Sequence, residues 1–101
     1  MDFTPKRVGE TEVITVDFAD LLGEGETILS ASWSMRVKTG VDPAASSMIQ
    51  GSVTITGTKV SQMVTAGVAG VRYEPLCTAL TSLDQVLELP DPDEGLLLVV
   101  G

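Results

Sequence analysis

Residues 27–37, TILSASWSMRV, alternate between apolar and polar side chains with a period of two. One side of this stretch carries the apolar residues Leu29, Ala31, Trp33, Met35 and Val37. The opposite side is mostly serine. A period of two is typical of a β-strand with one face on a core. The stretch 12–18, EVITVDF, alternates in the same way, so the sequence predicts two strands here.

Further short strands follow along the chain, separated by turn residues. They are predicted at 52–56, 58–65, 71–82, 83–89 and 96–100. Glycine-containing turns, a long connection at 38–51 and an acidic break with two prolines at 90–95 separate them. The only stretch compatible with a helical turn is 43–48. We therefore predict an all-β fold: a single antiparallel immunoglobulin-like β-sandwich of about seven strands, with a small β-barrel as the alternative.

The first eleven residues differ from the rest of the chain. They are mixed and polar, and they contain Pro5 and Gly9. We interpret 1–11 as a flexible N-terminal arm and 12–101 as the sandwich domain. The arm holds Lys6 and Arg7, a third of the basic residues, on a chain that is otherwise acidic.

Charge and composition narrow the classes of function. The formal charge of −8 comes from 14 acidic and 6 basic residues, and it disfavours binding to nucleic acid or anionic membranes. The apolar run at 96–100 is too short to span a bilayer, and the N-terminus has no secretory signal. We therefore expect a soluble protein that is made in a cytoplasm.

Few residues of the chain could act as catalytic groups or metal ligands. Histidine is absent, which removes the commonest general base and metal ligand, and a lone Cys77 cannot form an internal disulfide. The acids at 91–94 could bind a cation weakly, but solvated turn acids are the better interpretation. We predict a protein that is not an enzyme, with no catalytic residues, cofactor, metal site or small-molecule substrate.

The stretch 67–77, GVAGVRYEPLC, is interpreted as architecture. Gly67 and Gly70 would turn the chain across the end of the sandwich, and Tyr73 would form a tyrosine corner. Such a corner predicts a hydrogen bond from the Tyr73 hydroxyl to the backbone of 66–70. Cys77 lies on the same face as Tyr73, and both it and Trp33 are predicted core residues.

The order of these features resembles small β-sandwich virion proteins of tailed bacteriophages, of the phage fibre–tail adaptor type. The similarity covers 9–35, 42–80 and 85–89. Its features include Asp17-Phe18 before a Leu-Leu-Gly turn, a strand with Trp33, and GxxGxxY with a cysteine four residues later. Two departures are Pro75, where an aliphatic strand residue is expected, and the acidic break before an apolar C-terminus.

The resemblance implies a structural virion protein, an adaptor in the tail or neck that links other virion proteins, such as fibres, to the tail. It would be homo-oligomeric in the particle, and it would be assembled in the host cytoplasm. The arm, the long loop and the last strand are where partners would bind. The candidate contact residues are Lys6, Arg7, Asp42, Pro43, Leu96 and Leu98. The alternative is a free-standing immunoglobulin-like recognition or adhesin module that binds a protein or a glycan.

Overall fold

A computed structural model of the chain describes residues 3–90 and 95–101. The described residues form eight strands and one short 3-10 helix. The strands are β1 Lys6–Arg7, β2 Glu12–Asp17, β3 Ile28–Thr39, β4 Ile49–Thr56, β5 Lys59–Val64, β6 Arg72–Thr81, β7 Val86–Leu89 and β8 Leu97–Val100. The 3-10 helix Ala45–Met48 precedes β4 and lies within the stretch that was compatible with a helical turn.

The strands form two sheets. The larger has five strands in the order β1-β8-β6-β3, with β7 also paired to β6, and the smaller has the order β2-β5-β4. Within the described residues every pairing is antiparallel except that of β1 with β8. Neither sheet closes into a barrel in this part of the chain. The predicted all-β sandwich is confirmed, and the barrel alternative is wrong.

The core lies between the two sheets. Ile14 and Val60 from the small sheet belong to the same buried cluster as Trp33, Tyr73 and Cys77 from the large one. The strands run between two ends of the sandwich. We name the end formed by residues 38–48 and 65–72, together with β1 and β8, the corner end. The end formed by residues 17–28 and 81–86 is named the far end.

A β-bulge near the start of β3 changes which residues face the core. The β3–β6 register shifts between Ile28 and Ser30, so that Leu29 is the extra residue. Ile28 is 9% exposed and Leu29 is 60% exposed. The alternation from Trp33 had placed Leu29 on the core side, and this assignment is wrong. A bulge adds one residue to one strand and reverses the facing of the residues beyond it.

Pro75 lies in the middle of β6 because one edge of that strand has a gap there. The Thr81 N–H donates to the Gln85 carbonyl at 2.9 Å, so the odd-numbered residues of β6 direct their amides toward β7 and β8. The pairing with β7 covers Cys77 to Leu80, and that with β8 covers only Arg72 and Tyr73. The residue that lacks an amide donor therefore stands where neither strand pairs with β6.

The N-terminal segment packs against the large sheet from Phe3 onward. Lys6 and Arg7 pair with Val99 and Val100 as β1, and the Phe3 N–H donates to the Leu96 carbonyl at 3.0 Å. This placement differs from the arm expected for 1–11, because the short parallel pairing with β8 is a long-range contact that local composition does not reveal. The first two residues of that segment lie outside the described residues, as does the 91–94 cation site.

Candidate partner-binding surface

The hydroxyl of Tyr73 holds the corner end together. Tyr73 is fully buried, and its hydroxyl accepts a hydrogen bond from the Val68 N–H at 2.8 Å. The same hydroxyl donates to Asp42 Oδ2 at 2.7 Å. The predicted bond to the backbone of 66–70 is confirmed. Burial raises the pKa of Tyr73, and the hydrogen bond to the Asp42 carboxylate acts in the same direction.

Asp42 joins the corner to the long loop. Its Oδ1 accepts from the Ala44 N–H at 2.9 Å, and its carbonyl accepts from the Ala45 N–H at 3.3 Å. Both carboxylate oxygens therefore bind groups of the same chain. Asp42 was a predicted partner contact, and the structure places it as the link between Tyr73 and the 3-10 helix. Its neighbour Pro43 is exposed.

Gly67 is the tightest point of the corner. Its φ is +98°, and a Cβ built on it would lie 2.8 Å from Val99 Cγ2 and 3.1 Å from Met48 Cε. Gly70 also has a positive φ, +85°, but a Cβ there would meet no atom within 4 Å. Both glycines have a left-handed backbone, but only at Gly67 does the packing also exclude a side chain.

Lys6 is buried rather than presented to a partner. Its Nζ donates to the carbonyls of Ala66 at 2.7 Å, Arg7 at 2.7 Å and Val8 at 3.3 Å. The bond to Ala66 attaches β1 to the turn that follows β5. Burial lowers the pKa of Lys6, while Glu10 and Glu12 act in the opposite direction. This side chain was a predicted contact residue, and the structure places it in the interior, because backbone carbonyls satisfy its ammonium.

The remaining predicted core residues are buried. Cys77 is fully buried, and burial raises the pKa of its thiol to about 12. A thiol in this state is protonated at neutral pH and is a poor nucleophile. Trp33 is 8% exposed and meets the Phe3 ring edge-on, with 6.5 Å between the ring centroids. Its Nε1 has no hydrogen-bond partner among the described residues.

The predicted contact residues Leu96 and Leu98 line a groove at the corner end. Its wall consists of Phe3, Pro5, Arg72, Leu96 and Leu98, and its volume is about 290 Å³. We name it the basic groove, because Arg72 lies on it and the exposed Arg7 lies next to it, opposite Val100. The structure thus brings Leu96 and Leu98 together in the groove, and Arg7 lies on the strand that pairs with β8.

The groove lies on the outer face of the large sheet. The side chains that β6 contributes to this face are Arg72, Glu74, Leu76, Thr78 and Leu80. A second hollow of about 310 Å³ occupies the middle of this face. Arg36 and Glu74 lie on its wall and form an ion pair at 3.0 Å. The remaining wall residues are Pro75, Leu76, Glu88, Pro90 and Gly95.

Sequence reasoning missed an apolar patch at the opposite end of the same outer face. Leu80 lies opposite Val86 on β7 and beside the bulge residue Leu29 on β3. These side chains are 40%, 65% and 60% exposed, and Leu83 in the adjoining turn is 61% exposed. We name these four residues the far-end patch. Only the pairing of β3, β6 and β7 brings these residues together. From the sequence, the alternation of β6 could have indicated only that Leu80 lies on the outer face, opposite Tyr73.

A family model described as podophage GP4 fiber-tail adaptor protein gp77 matches residues 6–89. The chain belongs to this family of phage fibre–tail adaptors. The match begins at the first residue of β1 and ends at the last residue of β7, so it includes the tyrosine corner and most of both sheets. Neither the curated proteins nor the solved structures gave a match.

The family description names a fibre–tail adaptor. Within residues 3–90 and 95–101, no three His, Cys, Asp or Glu side chains come together as metal ligands would. No helix in that same part of the chain is long and apolar enough to cross a membrane. The features of this adaptor that remain to be assigned a role are the basic groove and the far-end patch.

Proposed function

We propose that this protein is a non-enzymatic adaptor in the tail or neck of a tailed phage, where several copies link other virion proteins, such as fibres, to the tail. It would be assembled in the host cytoplasm and would reside in the virion. The observation that carries this proposal is the family match over residues 6–89. The absence of histidine and the buried, protonated thiol of Cys77 support a role without catalysis.

Partner contact is proposed at the corner end. Arg7, Leu96 and Leu98 combine charge and apolar surface around the basic groove, and Pro43 is exposed on the neighbouring loop. Interfaces are often built from such apolar centres with charged rims. Lys6 and Asp42 would act indirectly, because they hold β1 and the loop in place.

The strand order supports the immunoglobulin-like part of the proposal. The small sheet, β2-β5-β4, follows the order of strands B, E and D of an immunoglobulin domain. In the large sheet β3, β6 and β8 follow the order of strands C, F and G. The tyrosine corner then falls near the start of strand F, as it does in that fold.

A free-standing glycan-binding module is less well supported. Carbohydrate sites commonly present an exposed aromatic ring. Of the four aromatic residues, Phe18, Trp33 and Tyr73 are buried in the core, which leaves only Phe3. Phe3 packs against Trp33 and is half-buried. Among the described residues, none of the exposed large apolar side chains is aromatic.

Two measurements test the proposed function. Mass spectrometry of purified particles should detect the protein as a virion component. The purified protein should also co-elute in size-exclusion chromatography with a tail or fibre protein of the same phage. Leu98→Ser should weaken this binding, whereas Val13→Ser, on the outer face of the small sheet, should not. Absence from the particle, or no binding to any tail or fibre protein, would overturn the proposal.

A further inference from the structure

The exposed basic side chains of the large sheet are concentrated in its corner half, where one of them, Arg36, is paired with Glu74. Five of the six basic side chains are exposed, and four of them belong to the corner half of the large sheet: Arg7, Arg36, Lys38 and Arg72. The fifth, Lys59, is on the small sheet. Toward the far end lie two exposed acids: Glu88, opposite Thr78 at the edge of the central hollow, and Asp84, in the turn after β6. None of the described residues adds a basic side chain to this part of the face.

Each charged end also carries apolar surface. Leu96 and Leu98 lie in the basic groove, and the far-end patch lies beside Asp84 and Glu88. Between the two ends, β3 contributes only the small side chains Ser30, Ser32 and Ser34 to this face, opposite β6. These short serine side chains allow a second surface to approach the β3 side of the face closely.

We propose that this face binds a second copy of the chain across a two-fold axis that lies in the interface, perpendicular to the strands. This axis places the corner end of each copy over the far end of the other. Arg72 of each copy then approaches Asp84 and Glu88 of the other, and the leucines of the groove meet the far-end patch. A two-fold contact repeats every such pairing, so one set of residues serves both copies.

The charges favour this orientation over the alternative two-fold contact, in which the axis runs parallel to the strands. An axis parallel to the strands would set the Arg7 and Arg72 end of one copy against the same end of the other. Asp84 and Glu88 would likewise face their own counterparts. Like charges placed together across an interface are strongly unfavourable, so the axis perpendicular to the strands is preferred.

The size of the face predicts a weak dimer. Ten residues of β6 at about 3.3 Å each and three strands at about 4.8 Å spacing give about 500 Å² on each copy. The total of about 1,000 Å² is at the lower limit of specific interfaces. The net charge of −8 on each copy also opposes association. Dimers should therefore form at micromolar to millimolar concentrations.

This inference deepens the homo-oligomeric part of the proposed function and rests on it only in that respect. Sedimentation velocity of the full chain over rising concentration should show a mass that increases from 10.6 kDa to twice that value. A protein that stays monomeric at all concentrations, or that forms species of three or more copies, overturns the two-fold contact. A monomer that still binds a tail protein would leave the adaptor role intact, so the two failures are distinguishable.

Charge-reversal variants test the contact itself. Arg72→Glu should weaken dimerisation by about tenfold or more, because the introduced carboxylate would face the acidic end of the second copy. Lys59→Glu makes the same change of charge on the small sheet and should have little effect. Equal effects of the two variants would contradict the proposal.

Mixing variants gives the sharpest result. Glu88→Arg alone should also weaken dimerisation. A mixture of Arg72→Glu chains with Glu88→Arg chains should form mixed dimers, since contacts between the two variants again join opposite charges. No recovery in the mixture overturns the proposed pairing. An uncharged pair, Val86→Ser against the control Val13→Ser, tests the apolar contribution at similar exposures of 65% and 60%.

Discussion

The replacement Tyr73→Phe tests whether the tyrosine corner stabilises the fold. The substitution removes one oxygen from a fully buried side chain and leaves the ring in place. Two hydrogen bonds are lost: one from the Val68 N–H at 2.8 Å and one to Asp42 Oδ2 at 2.7 Å. No large cavity forms, so the change in stability reports mainly on these two bonds.

The expected loss follows from the partners left behind. A hydrogen bond to a charged group contributes about 1.5–3 kcal/mol and a neutral one about 0.5–1.5 kcal/mol. Val68 is 44% exposed and Asp42 is half-buried, so water can partly replace the hydroxyl at both. We therefore expect Tyr73→Phe to lower the free energy of unfolding by about 2–3 kcal/mol. That is a large share of the about 5–15 kcal/mol typical of a domain.

Equilibrium unfolding in urea measures this change. Trp33 is the only tryptophan and is 8% exposed, so its fluorescence reports loss of the core. A double-mutant cycle with Asp42→Ala isolates the Tyr73–Asp42 bond from the loss of the Asp42–Ala44 bond. The coupling free energy should be about 1–2 kcal/mol.

Two results of these unfolding experiments would refute the proposed role of the Tyr73 hydroxyl. A Tyr73→Phe loss below about 0.5 kcal/mol would mean that the hydroxyl contributes no more than a solvated group. A coupling free energy near zero would mean that Asp42 and Tyr73 act independently. In either case the corner would be held by Gly67 and by packing rather than by the hydroxyl.

Three further predictions concern other positions. In urea unfolding, Gly67→Ala should destabilise the fold by about 2–4 kcal/mol, because its φ would be strained and its Cβ would clash with Val99. Gly70→Ala should cost only about 1 kcal/mol. Equal losses for the two variants would contradict the clash at Gly67. The Cys77 thiol, whose pKa burial raises to about 12, should react with a disulfide reagent at pH 8 only after unfolding, and rapid labelling of the native protein would contradict its burial. Hydrogen bonds from the Thr81 hydroxyl and the Gly23 N–H lower the pKa of Glu26, so the stability that Glu26 contributes should be lost as pH falls through its folded-state pKa. The stability of Glu26→Gln should therefore depend less on pH in acid unfolding. An unchanged pH dependence would contradict this role.

At alkaline pH, the contributions of Tyr73 and Cys77 to stability change in the opposite direction from that of Glu26: they fall as pH rises. The folded-state pKa values of Tyr73 and Cys77 lie above their unfolded values, so the folded protein binds these protons more tightly. Their contribution is complete below the unfolded pKa values and is lost as pH rises through the folded ones. The stability that Cys77 contributes should therefore begin to fall above about pH 8.5, and that of Tyr73 above about pH 10, as measured by urea unfolding over this pH range.

Much of the fold could be predicted from the sequence because a β-strand alternates with a period of two. That local rule identified the long strands β3 and β6 and the core positions of Trp33 and Cys77. The turn at Gly67 and Gly70 followed from the positive φ angles that glycine allows. Tyr73 could be assigned its hydrogen bond because the glycines fix where the chain reverses. The sandwich itself followed from the number of short strands and the lack of helical periodicity.

The tertiary structure alone decided the features that depend on pairing. The bulge exposed Leu29, because one extra residue reverses the alternation. Parallel pairing with β8 buried Lys6, whose ammonium then needed the carbonyl of Ala66. The β6–β7 register assembled the far-end patch. These outcomes depend on contacts between distant parts of the chain, and such contacts leave no periodic signal. The sequence determined which residues form strands, and the pairing of those strands determined which residues form the surface.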